Sequence, residues 1–530
     1  MLDNTLTLAS VVRQQSRARG DHTLLVCDDE RISYLDADRR SARQAHALLD
    51  LGAGKGTHVG LLYPNGVPFV VAMLAAARIG AVVVPFSTFS TARELGEQLA
   101  AGDVAILLAA ESYRSHDYRR RLAEILHDTD TDSHTDTDDR VFSRAAPQLR
   151  HVLFSQTADT APAATDGPVD DAMLASLEDD VHGSDPMAIV YTSGSSSAPK
   201  GVVHTHGALL AHQKNLNAIR GLSGTDTLFC NSPFFWIGGF AFGVLATLVA
   251  GATLVCSNAG DAGAVLDLIE AEKPNVTNGF VAGITHLTSH PSFPRRDLSS
   301  MRRGNLYPIM APDVRPADPE LRHNMLGMTE AGSVLLISTD ETDQPESRRG
   351  SFGKPAPGFE TKVVDAETGH PVAVGETGEL CIRGPYVMQR YYGRSREECF
   401  DADGWFNTGD LVRTDDEGFF YFIGRRGSMI KTAGANVSPA EVEKAIAKVT
   451  GGIVAHVVGI PDDEPGQVVA AVVALDRDAD FDETALRHEL KAELSTYKIP
   501  QRFAVVRHDE IPVLSSGKVD RPRLRRLFDA

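Results

Sequence analysis

Short apolar β-rich runs alternate with Ala/Leu-rich helical stretches from the start of the chain, and any fold must accommodate that alternation. Thr57–Tyr63 reads as a strand, Phe69–Ile79 as a helix and Ala81–Pro85 as the next strand. A second block repeats the pattern, from a strand at Ala188–Tyr191 through a helix at Leu209–Asn215 to a strand at Ala252–Cys256, with Gly-rich turns at the strand ends. This predicts an α/β fold, in which ligands favour the strand-end turns. A chain of 530 residues exceeds what one core can bury, so several subdomains are expected. From about 346 to 424 the pattern becomes short strands between Gly and Asp turns, such as Gly378–Arg383 and Phe419–Ile423, which predicts a small β subdomain. Beyond it come strands at Ala455–Gly459 and Val468–Ala474 and a helix at Glu483–Leu494, enough for a separate α+β unit. The expectation is a large N-terminal domain over 1–426, built of two α/β subdomains and the β subdomain, followed by a small α+β C-terminal domain over 427–530.

Charge excludes some partners. The formal net charge of −19, with no long Lys/Arg block to offset it, argues against nucleic acid and anionic membranes. The most basic stretch, Arg521–Arg526, reads as a solvated helix face, with a phosphate contact as the alternative. The tract His127–Asp139 alternates Asp with Thr and Ser and cannot bury apolar surface, so it is expected to be a mobile surface loop. A calcium site there would need a turning glycine and a closing Glu that the tract lacks. The hydrophobic fraction of 42% is that of an ordinary globular protein, with no membrane span expected. Five scattered cysteines form no C-x-x-C pair and are expected to be reduced and structural. Neither Met1–Thr5 nor Phe528–Ala530 carries a targeting signal, so a cytoplasmic location is expected.

The most informative segment for chemistry is Tyr191–Val202, where a strand end runs into hydroxyl-rich small residues and one lysine. Small side chains let backbone N–H groups and hydroxyls approach oxyanions, and Lys200 adds a point charge. It is not the ordinary P-loop: Pro199 stands where a glycine should precede the lysine, and Gly201 where Ser or Thr should follow. A flexible serine-rich turn is the bland alternative. His204 and His206 just downstream resemble a metal pair, but two residues apart on a helix they would face different ways, so structural roles at a helix start are expected.

Over Thr192–Gly201 the chain resembles the phosphate loop of the adenylate-forming superfamily of acyl-CoA synthetases, luciferases and peptide-synthetase adenylation domains. Further motifs similar to that family follow in order: Leu326-Gly-Met-Thr-Glu330, Thr408-Gly-Asp410, Gly424-Arg425 with Lys431–Glu441, and Ser515-Ser-Gly-Lys518. Ile32-Ser-Tyr34 and Pro64-Asn65 also look like the family, so the resemblance spans nearly the whole chain. It implies ATP-dependent activation of a carboxylic acid to an acyl-AMP with release of pyrophosphate, then thioester formation with CoA. By this resemblance Thr192, Ser193, Gly194, Ser195, Ser196, Ser197 and Lys200 cradle phosphate, and Leu326, Gly327 and Met328 contribute to the nucleotide site. Thr329 hydrogen-bonds phosphate, and Glu330 holds Mg²⁺ through a carboxylate that suits a hard cation. Asp410 accepts from both ribose hydroxyls, Arg425 adds a nucleotide contact, and Lys518 reaches the substrate carboxylate and the α-phosphate. The small domain is then mobile about a hinge at Gly427, turning a face that carries Lys431 and Gly434 toward the acyl-adenylate.

The acid pocket implied by the resemblance is lined by Phe235, Trp236, Gly239, Phe240, Ala311 and Gly327, with Phe234 as a further aromatic wall. These side chains suit an apolar or aryl acid. The chain departs from the family's pattern at several points. Gly427 stands where Asp or Lys is usual, Ser197 replaces a glycine, Leu326 an adenine-stacking aromatic, and Trp236 a histidine. Tyr307–Pro312 replaces a Gly-Gly-Ala-Pro stretch, and the run from there to Leu326 is short for a helix. The acceptor is accordingly left open between CoA and a carrier protein or an amine. Activation of an unusual oxyacid such as nitrite for N–N bond formation also stays open, as does a non-catalytic binding protein on the same fold. The oligomeric state, monomer or homodimer, is left open.

Overall fold

The computed structural model describes residues 3–126, 141–154, 171–192, 200–427, 429–432, 435–461, 467–475, 481–491, 493–494, 498–514 and 518–529. The acidic tract at 127–139 lies outside them. The chain divides into two compact units, Met1–Glu360 with Arg383–Trp405, and Thr361–Ile382 with Phe406–Ala530.

Among the described residues the first unit contains two large sheets. One has seven strands in the order Arg390–Tyr391, Lys200–Thr205, Pro186–Thr192, Val82–Pro85, His58–Leu62, Ile106–Ala109 and His151–Phe154. Pairing is parallel from Pro186–Thr192 outward to His151–Phe154, whereas Lys200–Thr205 returns antiparallel and Arg390–Tyr391 closes the edge antiparallel. The other has six strands, in the order Arg303–Gly304, Val276–Asn278, Thr227–Cys230, Thr253–Cys256, Thr23–Cys27 and Glu30–Ser33.

One apolar cluster joins the two sheets through the helices between them. The helix Val67–Arg78, VPFVVAMLAAAR, is apolar all round and every residue from Phe69 to Arg78 is buried, as expected of a helix with no solvent face. Its closing Arg78 is tied by Glu178 at 2.5 Å and by Asp38 at 2.9 Å, so the buried guanidinium is paired. Losing both carboxylates would leave an uncompensated charge in the core.

The second unit has a four-stranded sheet of Glu360–Val364, Gly378–Arg383, Phe406–Thr414 and Phe420–Arg425; burial alternates along Phe406–Thr414, as on a strand covered on one face. Its C-terminal part packs the helices Pro439–Val449 and Glu483–Leu490 on a sheet of Val454–Pro461, Gln467–Leu475 and Arg502–Arg507. The alternation in sequence places these elements to within a few residues. The helix that starts at Glu483 stops at Leu490 rather than Leu494, and helix Leu209–Asn215 extends to His206–Arg220. No helix among the described residues is long and apolar enough to cross a membrane.

Candidate active site

The strands Pro186–Thr192 and Lys200–Thr205 form an antiparallel ladder whose last pair is Thr192 with Lys200. These two residues therefore close the base of the phosphate-loop segment, while Ser193, Gly194, Ser195, Ser196 and Ser197 lie outside the described residues. A Cβ at Gly201 would sit 2.7 Å from Ile189 Cγ2 across the ladder, which explains the glycine after the lysine. The Lys200 ammonium lies 5.1 Å from the centroid of the Tyr391 ring, within cation–π range.

The strand Leu326–Met328 runs into a single tight turn, Thr329–Ala331, and Gly332 at φ 69° takes the left-handed conformation that lets the chain return as Ser333–Ile337. Leu326 is half-buried, and a Cβ at Gly327 would meet Ser333 O at 2.9 Å. Glu330 is 9% exposed. The Tyr391 hydroxyl donates to its Oε1 at 2.7 Å, and the Met388 amide donates to its carbonyl at 2.7 Å.

Three buried side chains hold the same turn from behind. His204 Nε2 is 2.6 Å from Thr329 O, Gln213 Nε2 3.4 Å from Gly332 O, and His212 Nε2 2.8 Å from Val334 O. A carbonyl only accepts, so each imidazole carries its proton on Nε2. Among the described residues their Nδ1 atoms have no hydrogen-bond partner. Burial pushes His204 down to about 4 and His212 to about 3. The expected helix start is corrected for His204, because the Val202-Val203 run carries the strand on to Thr205 and the helix begins only at His206. Among the described residues no group of His, Cys, Asp and Glu is arranged to hold a metal ion by itself.

The second unit carries the other predicted polar residues. Asp410 and Arg425 are direct cross-strand partners, with Arg425 Nε 2.9 Å from Asp410 Oδ1. Gly409, at φ 74°, makes the tight step before Asp410. Its amide donates to Glu379 Oε1 at 3.0 Å, and Arg426 pairs with Glu379 Oε2 at 3.1 Å. Asp410 is buried while Arg425 is exposed, so the guanidinium orients the carboxylate and stays hydrated. Lys518 is exposed beside the bridge between Val513 and Val519, and its carbonyl accepts from the Leu514 amide at 2.7 Å. Gly427 is exposed, its φ is outside the left-handed region, and a Cβ there meets nothing within 4 Å. Lys431 lies on the strand Ile430–Thr432, and Gly434 falls outside the described residues.

Ala311 and Gly327 lie on separate segments, while Phe235, Trp236, Gly239 and Phe240 share one loop. Asn65 clamps it with both ends of its side chain, Nδ2 donating to Ser232 O at 3.0 Å and Oδ1 accepting from the Phe234 amide at 2.8 Å. Trp236 is half-buried, edge-on to Phe280 at 5.2 Å and to Phe235 at 5.6 Å. Phe234 and Phe240 are fully buried on Phe69, at 5.6 and 6.4 Å, and so anchor the loop in the core. Ala311 is buried, with its amide bonded to Met301 O at 2.9 Å. No α-helix forms between Pro312 and Leu326; a short turn at Pro319–Leu321 stands there instead.

Gly238–Leu245 is a π-helix, a rare wide turn that is frequent at functional sites. A Cβ on Gly239 would lie 2.1 Å from Pro233 O, whereas one on Gly238 would touch only Ser232 Oγ at 3.9 Å. Gly239→Ala is therefore expected to cost about 2–3 kcal/mol by forcing the Pro233 backbone aside. Gly238→Ala should fold as the wild type does, and thermal unfolding of the two variants checks the difference.

Tyr391, His204, His212 and Asn65 are not among the site residues expected from sequence. Asn65 belongs to a motif already noted, and a Val-Val-His run entering a helix is a local signal for a buried imidazole. Tyr391 has no local signal, since its partners lie 61 and 191 residues away in sequence.

Comparison with known proteins covers most of the chain. The family described as AMP-binding enzyme matches residues 12–392, and the AMP-binding enzyme C-terminal domain matches 441–518, ending on Lys518. A feruloyl-CoA synthase from Amycolatopsis sp is 32% identical over 509 residues, covering 94% of this chain and 94% of that protein. The putative acyl-CoA synthetase YngI of Bacillus subtilis (strain 168) is 29% identical, covering 98% of this chain and 96% of that protein. Among solved structures, the anthranilate CoA ligase AuaEII in complex with anthranoyl-AMP has the same fold. Its TM-score is 0.81 at 22% identity, over 98% of this chain and 96% of that one. ATP-bound MatB from Rhodopseudomonas palustris gives 0.78 at 23% identity, over 99% of each chain.

Proposed function

This chain belongs to the AMP-binding enzyme family, and from that premise we propose that it is an AMP-forming acid:CoA ligase acting on an apolar or aryl carboxylic acid. The acid carboxylate attacks the α-phosphorus of ATP and pyrophosphate leaves; the CoA thiol then attacks the acyl carbon and AMP leaves. The observation that carries this reading is the chain Lys200–Tyr391–Glu330, which brings a cation and a buried carboxylate onto one tyrosine next to the base of the phosphate loop. A pair of opposite charges held apart by an aromatic ring suits a polyphosphate that carries its own dication.

Glu330 fits that dication. The carboxylate is anchored at one oxygen by a neutral hydroxyl, and among the described residues no Lys or Arg pairs with it, so its charge is not spent within the protein. Mg²⁺, when bound, would lower the repulsion among the phosphate oxygens, and Glu330 is the residue that would hold it. Thr192, Lys200 and Thr329 bind phosphate, joined by Ser193–Ser197. Leu326, Gly327 and Met328 flank the base. Asp410, oriented by Arg425, receives the ribose hydroxyls, and Lys518 bridges the acid and the α-phosphate.

Phe235 and Trp236 face the acid, together with Gly239, Ala311 and Gly327, while Phe240 anchors their loop in the core. This aromatic wall supports an aryl substrate, as do the relatives named feruloyl-CoA synthase and 4-coumarate-CoA ligase. Gly427 is the hinge and the start of the C-terminal domain in this reading. Its open surroundings would accept the Asp or Lys usual there, so rotation does not depend on a strained glycine. Lys431 and Gly434 lie toward CoA. The setting is cytoplasmic, which five free cysteines, four of them buried, fit.

ATP–pyrophosphate exchange with a panel of aryl and aliphatic acids tests the reading, followed by thioester formation on addition of CoA. Exchange is expected with one or more aryl acids, and thioester only when CoA is present. Absence of exchange with every acid would overturn adenylation. Exchange without thioester would assign a different acceptor.

A further inference from the structure

Tyr391 is joined to both charged groups of the phosphate site, and its position is set by more than its own side chain. The short strand Arg390–Tyr391 lies along the outside of Lys200–Thr205, with Tyr391 opposite Val202. The Gln389 amide donates to Val203 O at 2.9 Å and the Tyr392 amide to Gly201 O at 2.7 Å. The ring is thereby fixed against the strand that starts at Lys200. The preceding residues grip the Glu330 turn as well, through the Met388 amide on the Glu330 carbonyl at 2.7 Å. One short segment thus holds the lysine strand, the main chain of Glu330 and, through the phenol, its carboxylate.

We propose that Tyr391 is a positioning residue for catalysis, its hydroxyl aiming the Glu330 carboxylate at the metal bound on ATP and its ring setting the height of Lys200 over the phosphates. This rests on the adenylation reading above and extends it to a residue that touches neither substrate. The hydroxyl has a function that packing alone does not require. Tyr391 is 8% exposed and a phenylalanine would fill the same space, but a carboxylate 9% exposed loses orientation when the neutral hydroxyl that holds one of its oxygens is removed. The ring has a separate function, because a cation held 5.1 Å above an aromatic centroid keeps one position in place of many rotamers.

The two functions can be separated by substitution. Tyr391→Phe keeps the ring and removes the donor; Tyr391→Leu removes both. Mg²⁺ dependence of ATP–pyrophosphate exchange is measured together with calorimetric binding of ATP at several Mg²⁺ concentrations, with thermal unfolding as the check on folding. Tyr391→Phe is expected to raise the Mg²⁺ concentration for half-saturation about tenfold in both assays, as loss of one charge-directed hydrogen bond would do. The KM for the acid and the melting temperature should stay near wild type. Tyr391→Leu is expected to add a rise of about fivefold in the KM for ATP, from the loss of the ring beneath Lys200. Unchanged Mg²⁺ dependence in Tyr391→Phe would overturn the proposal. So would a uniform fall in every parameter accompanied by a lower melting temperature, which is the mark of a packing role. If the wild-type protein binds Mg-ATP yet exchanges no pyrophosphate, the adenylation reading falls while the calorimetric arm still decides the role of Tyr391.

Discussion

Lys518→Ala is expected to slow acyl-adenylate formation by about 100- to 1,000-fold, the usual loss when one fixed charge aimed at a developing anion is removed. The same variant should convert preformed acyl-AMP and CoA to thioester at close to the wild-type rate. Two negatively charged reactants must be brought together in the first half-reaction, and an ammonium that reaches both offsets their repulsion as charge moves onto pyrophosphate. The second half-reaction joins a thiol to an already activated acyl group and has no such requirement. The structure makes the substitution a clean test. Lys518 is exposed, and the turn around it is held by main-chain bonds, Leu514 N to Lys518 O at 2.7 Å and Asp520 N to Pro512 O at 2.8 Å. Truncating the side chain therefore leaves the local fold intact. Pyrophosphate exchange and single-turnover thioester formation from synthetic acyl-AMP are the two measurements. Equal losses in both would remove Lys518 from the role assigned to it.

The strands and helices that build this site were legible because each is short, apolar and bounded by Gly, Pro or Asp. Gly378–Arg383 begins and ends where its composition says it should. Less visible were features that depend on two distant stretches meeting. The Tyr391 edge strand is two residues long and exists only because Lys200–Thr205 offers it a ladder. The π-helix at Gly238–Leu245 is uniformly apolar, so its periodicity does not distinguish it from any buried helix. What singles it out is the 2.1 Å approach of a Gly239 Cβ to Pro233 O, a contact invisible in composition. His204 was misplaced for a related reason, since the β-branched pair before it carries the strand past it and the helix begins only at His206.

The motif residues divide between the two compact units in a way that follows from their chemistry. The groups proposed for phosphate and metal, Thr192, Lys200, Thr329 and Glu330, sit on strand ends and a turn of the first unit, with His204 bracing Thr329 and Tyr391 bracing Lys200 and Glu330. Asp410 and Arg425 lie together on the four-stranded sheet of the second, and Lys518 lies on an exposed turn of that same unit. Braced groups suit a grip on ATP and its magnesium, whereas an exposed lysine on the surface of the second unit suits a contact needed in only one half of the reaction.

Acid should destabilise this protein strongly between pH 6.5 and 5, before most of its carboxylates titrate. His204 and His206 are held down to about 4 and His212 to about 3, burial being the first cause in each case. Each imidazole is used as a neutral group. His204 and His212 donate from Nε2 to Thr329 O and Val334 O, and His206 Nδ1 accepts from the Leu8 amide at 3.1 Å. The surroundings offer little to a second proton: Tyr386 and Phe359 flank His212, and Asp185 favours the charged form of His206 while Lys55 opposes it. In the unfolded chain the same groups titrate near 6.5, so below that pH the unfolded state binds protons that the folded state refuses. Their contribution is complete above about 6.5 and is lost as pH falls toward the folded values, at roughly 2 kcal/mol per imidazole by pH 5. Three such losses are on the order of a whole domain's stability. Urea unfolding midpoints at pH 7 and pH 5 read the effect. In the variant His204→Gln, His206→Asn, His212→Gln, the side-chain amides keep the hydrogen-bond roles of the ring nitrogens without titrating. This variant should lose less than half as much between the two pH values; a loss equal to the wild type's would place the acid sensitivity elsewhere.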